Sequence, residues 1–294
     1  MEIERLDEAD AVVVGREQAD DQGVATPETR DQQTYRAEYR ATVEAAYSWD
    51  AAAQELRQTW EAHEEKWPRP EDPGDAEAPT EPGAWRGNGD RHLDPQANAE
   101  VERGCGRIRE VGENIITPAM RAIESEDPDR HLIGLEHCLK GVDRIKEKIA
   151  DAVRYKGRAP EEALETLKDA VRFTFSYSEQ RYTSGVIEDC QRLLDRGFQP
   201  FDRLNSWPAK EYKGVNSRWR DPESGLLFEV QFHTRASFEA KQLTHAAYER
   251  LRNPATSDIE RDELQEFQRK ASAEIPMPPN VADIEDYSPE QRRG

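Results

Sequence analysis

Two carboxylates in this chain of 294 residues stand where charge is costly without a partner. Asp169 opens the segment Asp169-Ala170-Val171-Arg172-Phe173, and Glu229 lies inside Leu226-Leu227-Phe228-Glu229-Val230-Gln231-Phe232-His233. Alternation puts Phe228, Val230 and Phe232 on one face of that second strand and Glu229, Gln231 and His233 on the other. Such a face is either the exposed side of an edge strand or the wall of a functional cleft. Two carboxylates from neighbouring strands suit Mg²⁺, which takes a few carboxylates together with substrate phosphates. Cations accompany them in the sequence. Lys140, Arg144 and Lys148 recur at intervals of four, and Lys210, Lys213 and Arg218 surround Gly214. Each alone is an ordinary solvated residue. Joined to a carboxylate pair they fit phosphoryl transfer, where catalysis is mostly positioning and charge neutralisation. His233 and His245 have no zinc-ligand spacing. Cys105, Cys138 and Cys190 lie far apart with no CxxC pair, which excludes a zinc knuckle or a disulfide framework as the organising feature.

The elements that must position these groups follow from hydrophobic period. Residues 1–30 are polar and acidic and are expected to be disordered. Over 31–67 the spacing of Tyr35, Tyr39, Val43, Tyr47, Leu56 and Trp60 predicts a helix with an aromatic stripe, a face suited to a core or to a protein partner. Residues 68–95 are rich in Pro and Gly and read as a linker. Thr117-Pro118 reads as a helix start. Leu132, Leu135, Leu139, Val142, Ile145, Ile149 and Val153 predict one amphipathic helix over 131–155, with Lys140, Arg144 and Lys148 on its polar face. The period then drops to two at Val171, Phe173, Phe175 and Tyr177, a half-buried strand. A helix over 184–196, a short strand within 198–207, and a hairpin joining 215–220 to 226–233 through Asp221-Pro222-Glu223-Ser224-Gly225 come next. Helices over 235–252 and 258–273 and a Pro-rich, disordered tail over 275–294 complete the chain. The expectation is an α+β fold: a small mixed β-sheet flanked by helices, with one domain over 96–255, a C-terminal helix over 256–274, and an acidic, partly disordered helical region before them.

Charge is segregated along the chain. The formal net charge is −20, yet residues 137–252 carry 21 basic against 18 acidic side chains, while residues 1–95 carry 10 against 24. A near-neutral island in so acidic a chain suits a polyanionic ligand such as a nucleotide. The acidic remainder argues against broad, nonspecific DNA binding, which needs a dense cationic face. No apolar run is long enough for a transmembrane helix, and residues 1–14 lack the pattern of a secretory signal, so the expected location is the cytoplasm, with no membrane partner.

Three stretches carry a resemblance: Lys168-Asp169-Ala170-Val171-Arg172-Phe173, Tyr212-Lys213-Gly214-Val215-Asn216-Ser217, and Glu229-Val230-Gln231-Phe232-His233-Thr234. Together with the element order they resemble the RelA/SpoT nucleotidyltransferase (alarmone synthetase) domain over 131–252. They are especially similar to the divergent versions found as toxin domains in actinobacterial and phage proteins. The resemblance implies transfer of pyrophosphate from ATP to a ribose 3′-hydroxyl, with Asp169 and Glu229 holding Mg²⁺ and Glu229 assisting deprotonation of the attacking hydroxyl. It implies nucleotide contacts from Lys140, Arg144, Lys148, Arg172, Lys213, Asn216, Ser217, Gln231 and His233. Val215 stands where the family has a Tyr that stacks on guanine, and His233 where it has an Arg before the motif Thr. These departures imply an acceptor not restricted to guanine, such as an adenine nucleotide or the 3′ end of an RNA like tRNA, with Trp219 as the substitute stacking group. The alternative is an inactive module that binds nucleotide or a protein partner, the latter through 31–67.

Overall fold

The computed structural model describes residues 30–69 and 81–288, with side chains in the opening helix described from Ser48 onward. The chain divides into two compact units, Met1–Ala41 and Thr42–Gly294. Of the stretch over 1–30 expected to be disordered, residues 1–29 lie outside the described residues, as does much of the expected linker, and Arg30 opens a helix. Among the described residues no helix is long and apolar enough to cross a membrane.

Helix α1 runs Arg30–Lys66. An antiparallel ribbon of β1 (Trp85–Arg86) and β2 (His92–Leu93) follows, inside the expected linker, and then α2 (Pro95–Val111). Asp94 caps α2 by accepting from the Ala97 N–H, and Pro95 occupies the first helical position, where its missing N–H costs nothing. At Thr117-Pro118 the backbone does not restart. A π-helical segment, Gly112–Ile116, joins α2 to α3 (Thr117–Glu124), and the Thr117 hydroxyl donates back to the Gly112 carbonyl instead of capping. A π turn absorbs the hydrogen bond that Pro118 cannot donate.

The helix expected over 131–155 is three pieces. They are strand β3 (His131–Ile133), a 3₁₀ turn at Leu135–His137, and α4 (Val142–Lys156). Gly134, at φ 66°, breaks the run between the first two. The apolar residues 132–139 therefore serve a strand and a loop, and Lys140 precedes the helix rather than riding on it. Short helix α5 (Pro160–Glu165) leads to β4 (Arg172–Tyr177), then α6 (Glu179–Asp195), β5 (Gln199–Asn205), β6 (Val215–Arg220), β7 (Leu227–Thr234), α7 (Arg235–Arg252) and α8 (Asp258–Ala273). From β4 onward the element order agrees with the sequence reading.

The five strands form one mixed sheet in the order β3-β4-β7-β6-β5. Only the β4–β7 pair is parallel. β7 is thus the middle strand, and every one of its residues is buried, so the edge-strand reading of Glu229, Gln231 and His233 does not hold. One face of the sheet is apolar. It carries Phe173, Phe175 and Tyr177 of β4, Val215 and Trp219 of β6, and Phe228, Val230 and Phe232 of β7, all buried. Helix α6 packs there: a Cβ on Gly185 would meet the Tyr177 ring at 2.5 Å, and Tyr182 donates to the Phe232 carbonyl at 2.7 Å.

Segments on either side of the sheet in the sequence, residues 49–67 and 275–288, pack against it and its helices. In α1, Trp49, Ala53 and Leu56 are buried, and Trp49 donates to Glu239 of α7. Trp60 packs on Phe267 of α8. This half of the expected partner face is satisfied within the chain, while Tyr35, Tyr39, Val43 and Tyr47 lie outside the described side chains. Past Ile275, where a disordered tail over 275–294 was expected, the described residues up to Ser288 pack on the sheet, and 289–294 lie outside the described residues. Arg203 and Tyr287 exchange backbone hydrogen bonds, and the Asn205 amide donates to the Val281 and Ile284 carbonyls, so the segment covers the outer edge of β5.

A buried charge cluster pins β3, α6 and the end of β4. The Arg130 and Asp189 side chains are fully buried and lie 2.7 Å apart, the Tyr177 hydroxyl donates to Asp189, and Arg130 also donates to the Ile123 carbonyl. Removing one member of such a pair leaves an uncompensated charge. Asp189→Ala is expected to destabilise the domain by about 3–5 kcal/mol, read by urea unfolding. A loss no larger than that of an exposed ion pair would show that Arg130 is stabilised by other groups.

Candidate active site

The polar face of the sheet is built by register. Arg172 of β4 pairs with Glu229 of β7, Glu229 with Arg218 of β6, and Arg218 with Asp202 of β5. The four make a row of alternating charge across the sheet. The next row is Thr174, Gln231, Asn216 and Leu204, and beyond it Ser176 lies beside His233. Arg218 bonds Asp202 at 2.8 Å, and Lys168 lies 3.7 Å from the same carboxylate.

Three chain segments meet where this row begins. Residues 138–140 and 170–172 run side by side: Arg172 donates to the Cys138 carbonyl at 2.8 Å, and Lys140 donates to the Ala170 carbonyl at 2.9 Å. On the other side, the Glu229 N–H donates to the Val171 carbonyl at 2.9 Å. Gly112 gives this crossing room, because a Cβ there would meet Leu139 at 2.7 Å. The consequence is a cleft of about 210 Å³ whose wall includes Cys138, Lys140, Gly141, Asp169 and Arg172.

Asp169 lies three residues before β4, in a bend rather than in the strand. Its carboxylate is held by Lys148 of α4 at 2.5 Å and by Lys140 at 3.3 Å. Burial pushes the carboxyl up, but the Lys148 hydrogen bond and the Lys140 charge outweigh it, and the group stays ionised below the usual carboxylate range. Lys140 is pulled below the ordinary lysine range by burial, with Lys148 and Arg172 adding to the effect and Asp169 opposing it. Arg172 faces the cleft half-buried, and its cross-strand neighbour on the sheet is Glu229. Three cations, Lys140, Lys148 and Arg172, thus stand against the two carboxylates Asp169 and Glu229, a site with surplus positive charge.

Glu229 is 8 % exposed, and its carboxylate accepts from the Gln231 amide at 2.8 Å. Lys241 of α7 donates to the other end of that amide at 2.6 Å. Burial and the nearby Arg172 lower Lys241 to about 8, with Glu229 opposing them. Lys241 was not among the sequence candidates. The signal for it was a lysine spaced three and seven residues from Phe238 and Tyr248, on a helix face that should be apolar.

Five sequence candidates are bound to partners within the chain and do not line the cleft. Trp219 is 3 % exposed on the apolar side of the sheet and donates to Ser217, so it cannot stack on a base bound at the polar face. Ser217 shares that side, is fully buried, and donates to the Val230 carbonyl. Period-two alternation on β6 places both with Val215, away from Glu229. Lys213 is spent on the Trp207 and Ala209 carbonyls at 2.7 and 2.6 Å, tying its own loop. Arg144 is 77 % exposed and pairs with Glu147. His233 is fully buried, where desolvation holds it neutral, and lies between Ser237 at 2.8 Å and the Tyr212 hydroxyl at 3.0 Å. Tyr212 in turn donates to Asn216. This chain fixes the polar edge of the site from behind. Lys140, Lys148, Asp169, Arg172, Asn216, Glu229 and Gln231 are the candidates the fold does gather.

No protein-family model matches this chain, and no curated protein sequence does. Several solved structures are similar to part of it. The small alarmone synthetase 1 from Bacillus subtilis is 19% identical over 60% of this chain and 92% of its own, with a TM-score of 0.43. A GTP pyrophosphokinase family protein from Streptococcus pneumoniae is 18% identical over 62% of this chain and 91% of its own, with a TM-score of 0.42. The Type VI effector Tas1, solved in complex with its immunity protein, is 17% identical over 60% of this chain and 96% of that one, with a TM-score of 0.42. These likenesses are partial, and the functional reading below rests on the residues of this chain.

Gly214 sits at φ +154°, against the His233 ring and the Tyr212 hydroxyl, where a Cβ would come within 2.8 and 3.0 Å of them. Gly214→Ala is expected to cost about 1–3 kcal/mol through overpacking and to lower the thermal midpoint. An unchanged midpoint would show that the His233 cage yields easily.

Proposed function

We propose that this protein transfers pyrophosphate from ATP to the ribose 3′-hydroxyl of a nucleotide or an RNA end. The observation that carries the reading is the cleft in which Lys140 and Lys148 flank Asp169 beside Arg172, continuous through strand pairing with Glu229 and Gln231. A triphosphate supplies the anion that this surplus positive charge calls for. In the reaction, the ribose oxygen attacks the β-phosphorus of ATP. The bond from that phosphorus to the oxygen bridging toward the α-phosphate breaks, and AMP leaves with the electron pair. Glu229, buried and at the centre of the sheet, is placed to accept the hydroxyl proton. Lys140, Lys148 and Arg172 hold the phosphates and offset the charge that develops on them.

Among the described residues no cluster of three or more His, Cys, Asp or Glu side chains could hold a metal by itself. The two carboxylates Asp169 and Glu229 would suit Mg²⁺, which binds through one or two carboxylates and completes its shell with water and substrate phosphates. Asp169 and Glu229 would be its protein ligands, and the ion would draw charge from the transferring phosphates. Asp169 is shared by two lysines, so a bound triphosphate would offer those lysines new anionic partners and leave the carboxylate available to a cation.

The acceptor is not restricted to guanine in this reading. Val215 is fully buried on the apolar face, and Trp219 is turned the same way, so neither supplies a stacking surface. A toxin role and a cytoplasmic site of action accord with the sequence resemblance.

Two outcomes test the proposal. Asp169→Asn and Glu229→Gln should each abolish transfer of label from γ-labelled ATP to ribonucleotides or bulk tRNA while leaving the unfolding transition in place. Wild-type turnover in either variant would sink the assignment. Lys148→Ala should raise the KM for ATP more than the KM for the acceptor. Calorimetry that finds ATP binding unchanged in this variant would remove Lys148 from the phosphate site.

A further inference from the structure

The geometry points to Lys241 as a positioning residue that sets the orientation of Glu229 through Gln231. The inference rests on the pyrophosphate-transfer reading for its functional consequence, and on the hydrogen bonds alone for its structural one.

Three side chains form a directed chain. Lys241 Nζ lies 2.6 Å from Gln231 Oε1, and Gln231 Nε2 lies 2.8 Å from Glu229 Oε1. An amide is nearly symmetric in shape, and its two ends are told apart only by their partners. A lysine ammonium can only donate, so it accepts no end of the amide but the oxygen. The amide nitrogen is then obliged to face Glu229, where it donates to one carboxylate oxygen and leaves the other for chemistry. Without Lys241 the amide is free to turn its oxygen toward the carboxylate, which repels it. The ammonium is itself held. It stands 5.4 Å from the centre of the Phe238 ring, one turn earlier on α7, a cation–π contact that keeps it against the sheet. Gln231 is 5% and Glu229 8% exposed, so water is a poor substitute for either bond.

The placement distinguishes Lys241 from the phosphate-binding cations. Lys140, Lys148 and Arg172 belong to the cleft beside Asp169, whereas Lys241 comes from α7 and does not line that cleft, its side chain bonding the Gln231 amide oxygen. Its loss should therefore harm the chemical step and leave ATP binding in place.

The test uses the full-length chain, labelled ATP and the four ribonucleoside diphosphates, with Lys241→Met, Lys241→Arg, Gln231→Ala and the Gln231→Ala/Lys241→Met double variant. Outer partners of this kind contribute about 10–100-fold, so Lys241→Met should lower kcat by about that factor and change the KM for ATP little. Lys241→Arg, which also can only donate, should restore much of the loss. In the Gln231→Ala background Lys241→Met should add nothing, because its route to Glu229 is already cut. Losses that multiply in the double variant, or a raised KM for ATP with unchanged kcat, would overturn the inference and make Lys241 a direct ligand contact. A second readout needs no turnover. In nucleotide-free protein labelled with ¹⁵N-glutamine, the Gln231 side-chain NH₂ signals should shift on Glu229→Gln and on Lys241→Met and hold on Lys241→Arg. Signals indifferent to Lys241→Met would overturn the inference. A wild-type protein that transfers to no acceptor, yet shows these shifts, would overturn the enzymatic reading and keep the orienting chain.

Discussion

The backbone of residues 170–172 is the junction on which the site depends. On one side it bonds residues 138–140, and on the other it bonds Glu229. Each bond is an ordinary amide–carbonyl contact contributing on the order of 1 kcal/mol, but their joint effect is geometric. They bring a loop from before α4, the bend before β4, and the central strand of the sheet into one register. Lys140, Asp169, Arg172 and Glu229 are neighbours because their backbones are joined there. The small side of Gly112 and the apolar packing of Val171 and Leu139 keep that crossing tight.

Around this junction the protein separates two kinds of polarity. On the cleft side, positive charge exceeds negative charge: Asp169 neutralises part of Lys140 and Lys148, and Arg172 adds a third cation. Behind the sheet's polar face, by contrast, the side chains hydrogen-bond one another. Tyr212, His233, Ser237 and Asn216 satisfy one another, and Lys241, Gln231 and Glu229 form a second chain. Hydrogen-bonded networks among buried side chains hold their members in place, and an excess of cations attracts an anion. The contrast marks which side of the face receives a ligand and which side holds it in shape.

The outer parts of the chain reinforce this arrangement. The second half of α1 packs on α7 and α8, and so supports the helix that delivers Lys241. The segment after α8 crosses to β5 and covers the sheet edge that would otherwise be open to another strand. Both ends of the described body thus act as scaffold for a sheet whose two faces do different work.

Much of this was legible in the amino-acid order, because it depends on local period. The alternation at 171–177 and 227–234, the Asp221–Gly225 turn and the 3.6-residue period of α7 and α8 are properties of neighbouring residues. They placed Arg172, Glu229 and Gln231 on the polar side without any knowledge of the fold, whereas Asp169, which shares the parity of Val171 and Phe173, reaches the cleft because the chain bends before β4. What local period could not show was which strand lay in the middle, since that depends on pairing between distant segments. Tertiary structure made β7 central and turned an apparent edge face into a buried one. It broke the run at 131–155 into strand, loop and helix, because Leu132 and Leu139 find partners on β4 and beside Val171 rather than along one helix face. It also turned Ser217 and Trp219 to the apolar side, spent Lys213 on its own loop, and recruited Lys241 from 10 residues past Gln231. A side chain's type and period follow from the chain itself, whereas its partner is chosen only when the chain closes on itself.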